Sequence, residues 1–221
     1  MNDLGIDLFL WARGTGWVVS LSLFCFGLTL RLAEILLPGR LADLSAPRPQ
    51  ARQGSPWKTV LMRNLPYPGL FRRSPVTYVA GYLFHGGFLA ALLLGSFHME
   101  WFRSLLGFGW PTLPTPVADL FAFTAILSLA ALLISRLTHP VKRLLSGVGD
   151  YLAWTLSMLP LLTGWLAYHH VGPYVPMLLL HLLSAELLLA LLPFTPLMHA
   201  FTIWMARWYS GQVYGRKGVQ A

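Results

Sequence analysis

Four histidines, His85, His98, His181 and His199, lie inside long apolar runs of the chain. An ionisable side chain in a bilayer core is unfavourable and marks a functional position. Neutral imidazole is also a common axial ligand of haem iron. Histidines at matching membrane depths on facing helices therefore predict haem held between paired imidazoles. His181 and His199 are eighteen residues apart, which is five turns, so on a straight helix they share a face roughly 27 Å apart along the axis. His85 and His98 are thirteen residues apart, which turns His98 by roughly 220° from His85 on an ideal helix. Met99 is only about 40° off, and a thioether also ligates haem iron, so His98 and Met99 stand as alternative ligands. The expected pairs are His85 with His199 at an inner haem and His98 with His181 at an outer one. The plainer reading of any single member is a histidine hydrogen-bonded for packing between helices.

Other polar residues fall near the ends of the apolar runs. His139, in Thr138-His139-Pro140, reads as an interfacial loop residue. His169 and His170 close the fourth run; they serve solvation, outer-haem ligation or proton handling at a quinol site. An imidazole or carboxylate that titrates near the working pH can take a proton from a quinol. His170 and Glu100 are the first candidates for that role, ahead of His169. Glu186 lies mid-run and opens an alternative, a proton-conducting or transporter-type protein that uses buried histidines and this carboxylate. Transporters of that type commonly carry inverted repeats, and none is evident. The single cysteine, Cys25, supplies neither a disulfide nor a zinc or iron–sulfur site.

These residues need elements to carry them, and composition says which. Of 221 residues, 56% are hydrophobic and 11% charged, where a soluble domain carries about 25% charged residues. The reading is an all-α integral membrane bundle of five transmembrane helices forming one domain over 1–221. The spans cover about 8–37, 76–102, 117–137, 151–168 and 174–208, since a span needs about 20 apolar residues. Pro38-Gly39 stops the first, and Pro193 and Pro196 should kink the last. The net charge of +8 sits between the runs, which points to topology and not to nucleic acid. Loop 38–75 carries Arg40, Arg48, Arg52, Lys58, Arg63, Arg72 and Arg73; the next loop on that side carries Arg136, Lys142 and Arg143. Positive loops stay cytoplasmic, so the N-terminus is expected outside and the C-terminus in the cytoplasm. Arg31, Arg72 and Arg73 lie at the depth where haem propionates would need cationic partners.

Several segments resemble a known family. His181 to His199, ending Pro193-Phe194-Thr195-Pro196-Leu197-Met198-His199, resembles the last helix of the gamma (cytochrome b) subunit of respiratory nitrate reductases. It is similar also to the cytochrome b subunits of sulfite-reductase-linked and heterodisulfide-reductase-like menaquinol membrane complexes. Phe84-His85-Gly86-Gly87 resembles the first ligand motif of that family, Ser135 to Pro140 with Asp150 the link between its third and fourth helices, and Gly27 with Arg31 the end of its first. In place of the family's Gly-His pair this chain has Gly95-Ser96, with His98 two residues later. The tail Tyr214 to Val219 looks more like the sulfite-reductase-linked branch. The resemblance implies a five-helix subunit of the bacterial or archaeal cytoplasmic membrane with two b haems, bound by His85 and His199 and, at one end, by His181. It implies quinol oxidation, or quinone reduction, and electron exchange with a cytoplasmic iron–sulfur partner.

Overall fold

The structure, a computed structural model, describes residues 3–39, 56–66 and 68–217. Every regular element among them is helical. The first apolar run is one continuous rod built from α1 (Asp3–Trp11), a π-helical turn (Ala12–Gly16) and α2 (Trp17–Leu36). Two short helices follow, α3 (Pro56–Met62) and α4 (Pro68–Arg73). Arg40, Arg48 and Arg52 of the expected cytoplasmic loop, and Gly218 and Val219 of the tail, lie outside the described residues.

The second run, expected as one helix over 76–102, is two: α5 (Pro75–Leu94) and α6 (Ser96–Leu106). Gly95 is extended between them, at φ −73° and ψ 134°. The carbonyls freed by this break find other donors. Trp110 Nε1 donates to Leu93 O at 2.8 Å, and Leu113 N donates to Leu94 O at 2.9 Å. The 107–114 connection therefore caps α5 from outside, as buried helix ends require. Gly107 ends α6 in the left-handed region, at φ 79°.

α7 (Thr115–Thr138) starts on Pro116, whose missing N–H suits a first turn. The short α8 (Pro140–Leu145) leads into α9 (Val148–Tyr168), where the Asp150 carboxylate accepts the Gly147 N–H at 2.9 Å. The last run, expected to be kinked, is interrupted outright. α10 (Tyr174–Leu191) gives way to two 3₁₀ turns, Leu192–Phe194 and Pro196–Met198, around an extended Thr195, and α11 (His199–Arg216) begins at the histidine itself. Each proline removes a helical hydrogen bond and clashes with the preceding turn, and two of them three residues apart leave no intact turn between.

Four helical stretches are long and apolar enough to cross a bilayer: Gly5–Leu36, Pro75–Leu94, Thr115–Thr138 and Tyr174–Phe194. Their outward faces are apolar, with Leu10, Val18, Phe26, Leu120 and Ile134 all exposed. Lipid, unlike water, is a good solvent for such a surface. The chain is therefore an all-α, multi-pass membrane protein. The expected fourth span, 151–168, is helical as α9 but is not one of these four. Thr155, Ser157, Pro160, Thr163 and Gly164 dilute its apolar content. α9 is also the most enclosed long helix, with Leu156, Ser157, Leu161, Thr163 and Ala167 among its buried residues. A helix shielded by neighbours does not need an apolar surface all round.

Close backbone packing joins α5 to α7, α7 to α9, α9 to α10 and α10 to α2. α5 and α10 have almost no close backbone approach among the described residues. The histidine pairs form between these two sides of the bundle, His85 of α5 with His199 of α11 and His98 of α6 with His181 of α10.

Candidate cofactor site

His85 projects from the middle of α5, and its Nδ1 donates to Gly81 O at 2.7 Å, one turn back on the same helix. His199 opens α11 and donates from Nδ1 to Pro196 O at 2.8 Å. The two rings face each other with centroids 6.0 Å apart and planes at 75°. They line an open cleft of about 450 Å³, walled by apolar side chains including Phe84, Leu129, Trp154 and Leu197. Its rim carries charge. Lys142 Nζ donates to Thr77 Oγ1 and Ser135 Oγ, each at 2.7 Å, and Arg136 pairs with Asp150 at 3.1 Å.

The second pair depends on the two helix irregularities. A continuous helix would point His98 away from the side that His85 faces. The extended Gly95 resets that direction and exposes Ala91 O, to which His98 Nδ1 donates at 2.9 Å. A side chain at 95 would place its Cβ 2.5 Å from that same oxygen. Opposite, His181 Nδ1 donates to Pro160 O of α9 at 2.9 Å. Its ring packs against Gly164, where a Cβ would come within 2.8 Å of Nδ1. His98 and His181 again stand with ring centroids 6.0 Å apart. Met99, the alternative to His98, is buried on another side, where its sulfur accepts the Trp110 N–H at 3.5 Å.

A carbonyl oxygen only accepts, so in each of the four histidines Nδ1 carries a proton, and in the neutral ring Nε2 keeps its lone pair. That is the usual support of a metal-ligating imidazole, because the second hydrogen bond fixes tautomer and orientation. The spacing agrees. Metal–imidazole bonds are about 2.0 Å and a ring nitrogen lies about 1.1 Å from its centroid, so two axial imidazoles on one metal put centroids about 6 Å apart. Among the described residues no group of three or more His, Cys, Asp or Glu could hold a bare metal ion. Two imidazoles per site suit a metal that brings its own equatorial ligands, which is what a haem does.

The remaining residues singled out in the sequence are scattered. Arg31 pairs with Glu34 at 2.7 Å and donates to Pro193 O at 3.3 Å. Arg72 and Arg73 end α4 on an exposed surface. None of the three lines the cleft; Arg136 and Lys142 do. Glu100 pairs with Arg103 at 3.2 Å with both side chains exposed. His170 takes a left-handed backbone, φ 52°, and stacks on Tyr174. His169 Nε2 is bonded to Asp119 Oδ1 at 2.8 Å, a partnership that their separation of fifty residues concealed. Glu186 is buried against the π-helical turn, and its Oε1 has no hydrogen-bond partner among the described residues. His139 is an exposed junction residue between α7 and α8, and Cys25 is exposed on the outer face of α2.

The chain is similar to a curated protein of Nitratidesulfovibrio vulgaris (strain Hildenborough), described simply as "Protein", with 35% identity over 147 residues. The match covers 66% of this chain and 65% of the relative, so the chain spans just under two thirds of that protein's length. No family model matches the chain, and no solved structure does.

Proposed function

We propose that the chain is a haem b membrane subunit of a respiratory oxidoreductase complex, of the nitrate reductase gamma-like kind. It oxidises quinol, or reduces quinone, and exchanges electrons across the membrane with a cytoplasmic iron–sulfur partner. The observation that carries this reading is the set of two facing histidine pairs, each 6.0 Å between centroids and each with both Nδ1 atoms tied to main-chain carbonyls. Each ring spends only Nδ1 on a carbonyl, which leaves its Nε2 available to a metal.

On this reading α9 is the fourth of five spans, the N-terminus lies outside and the C-terminus in the cytoplasm of a bacterial or archaeal cell. His85 and His199 would hold the inner haem, and His98 and His181 the outer one. The haems, when bound, supply one-electron iron chemistry at two depths. The protein's own contribution is orientation and charge. Gly81 O, Ala91 O, Pro160 O and Pro196 O each align one imidazole, while Arg136 and Lys142 at the cleft rim would take haem carboxylates. Quinol would react at the outer side, so that its protons leave there while electrons move inward, which conserves energy at about 2.3 kcal/mol per charge per 100 mV.

The test is a reduced-minus-oxidised absorption spectrum of the purified full chain. Two b-type haems per chain are expected, and one should disappear in His199→Ala with the other retained. A colourless protein sinks the reading.

A second reading, proton conduction, is favoured by Glu186, a buried carboxyl with an unpartnered oxygen in the middle of α10. In that case a haem-free chain in sealed vesicles would dissipate a pH gradient, and Glu186→Gln would abolish the leak.

A further inference from the structure

The two helices that carry the inner pair, α5 and α11, have almost no close backbone approach among the described residues. Nor does α11 continue α10, because the 3₁₀ turns break the helix just before His199. Some other element must set the distance from His85 to His199. Among the described residues the close backbone packing of α11 is with the 3₁₀ turn that precedes it and, above all, with α3. Trp57 of α3 stands edge-on to Trp208 of α11, with ring centroids 4.5 Å apart. Gly211 lets the buried Thr59 close in, since a Cβ there would lie 2.6 Å from Thr59 Oγ1. Just beyond the end of α3, the half-buried Asn64 serves both haem-pair helices at once. Its Oδ1 accepts a hydrogen bond from the Arg207 guanidinium of α11, and its main-chain oxygen accepts one from the Tyr82 hydroxyl of α5 at 2.5 Å. Its Nδ2 donates to Val60 O at 2.8 Å, which fixes the orientation of the amide.

We propose that Asn64 is a positioning residue for the inner haem, bridging Tyr82 and Arg207 so that His85 and His199 meet at the spacing one iron needs. The inference rests on the haem reading above and deepens it by naming what spaces one ligand pair. None of Tyr82, Asn64 and Arg207 lines the cleft, so the three act through the helices. Tyr82 stands three residues before His85 and shares a peptide group with Gly81 O, the carbonyl to which His85 Nδ1 donates. Arg207 follows His199 by eight residues, roughly 12 Å along α11. A helix is stiff over that length, so a shift at Arg207 is carried to the His199 ring. Two axial imidazoles share one metal only over a narrow range of separation, about the 6.0 Å that divides these centroids. The Arg207 bond is charge-assisted, which makes it one of the stronger hydrogen bonds a protein can use as a tie. The outer pair has its own supports, Ala91 O and Pro160 O, and takes no part in the bridge. Asn64 therefore acts on one haem and not on the other.

The experiment uses the full chain in detergent. Dithionite-reduced absorbance counts haem per chain, and the electron paramagnetic resonance of the ferric protein reads each ligand pair. That spectrum depends on the angle between the two imidazole planes, 75° at the inner pair and 49° at the outer. His199→Ala identifies the inner resonance by its loss. Asn64→Ala should move that resonance, leave the outer one in place and weaken haem binding at the inner site by about tenfold, as loss of a group that orients a metal ligand does. Tyr82→Phe should move the same resonance. Asn64→Asp, which keeps an acceptor for Arg207, should restore the parental spectrum. An unmoved inner resonance in both Asn64→Ala and Tyr82→Phe overturns the proposal and leaves the haem reading intact. Equal loss of both haems in Asn64→Ala does the same, because it would mark a residue that only supports the fold. The proposal also falls if Asn64→Asp does no better than Asn64→Ala. A parental chain without dithionite-reducible haem overturns both readings.

Discussion

Each of the four paired histidines donates from Nδ1 to a main-chain carbonyl. Ala91 O is released by the Gly95 break, and Pro160 O lies on a neighbouring helix. Gly164 makes the second of these possible, because anything larger collides with the His181 ring. Gly164→Val should push that ring off Pro160 O and cost the outer haem, lowering b-type absorbance by about half while the inner signal persists. Haem content per chain, measured as the pyridine complex, checks it; full occupancy would show that the ring tolerates displacement. At the other site, Arg136→Ala removes one of the positive charges at the cleft rim together with its pairing to Asp150. The inner haem should then bind about tenfold more weakly, the equivalent of one charge-assisted hydrogen bond. A haem titration of the apoprotein reads this directly. The histidines themselves were visible in the sequence, because polar residues stand out in apolar runs. Their acceptors were not, nor was the Asp119–His169 bond, because each depends on which helices become neighbours. Arg136 and Lys142 were read only as topological charge, since nothing local shows that α8 folds back over the cleft.

At the scale of elements, the apolar runs announced the helices, and their interruptions carry what the runs hid. The second run reads as unbroken because a lone glycine is tolerated inside a helix. The straight-helix count then sets His98 on the wrong face and makes Met99 attractive. One extended residue at 95 removes that conflict. Gly95→Ala should tilt the balance back toward a continuous helix. Its Cβ would sit 2.5 Å from Ala91 O, and strain of that sort in a packed site costs about 1–3 kcal/mol. We expect lowered thermal stability in detergent together with loss of the outer haem and retention of the inner one. Selective loss is the informative result, since general unfolding would remove both. The prolines near the end of the last run did signal an irregularity. What they produce is a gap in the helix long enough for α11 to begin afresh at His199, so the five-turn count from His181 does not describe the path between them.

For the whole molecule, the distribution of positive residues predicts that the α7–α9 connection, with Arg136, Lys142 and Arg143, faces the cytoplasm. The α9–α10 connection over 169–173, which has no Lys or Arg, should face outward. Single cysteines placed at Ser146 and at Val171 in a Cys25→Ser background should therefore differ in intact cells. An impermeant thiol reagent should label position 171 and spare 146, and the reverse pattern would invert the topology. A different consequence follows from the space between α5 and α10. Among the described residues the backbone barely bridges it, and the close packing that links α5 to α10 runs through α7 and α9. A ligand seated across the histidines would act as a latch on the open side, adding stability in proportion to the logarithm of its concentration over its dissociation constant. Cells starved of haem should then contain less of this chain, because proteases would clear an unlatched bundle before it could be matched with a partner. Its abundance would report the haem supply.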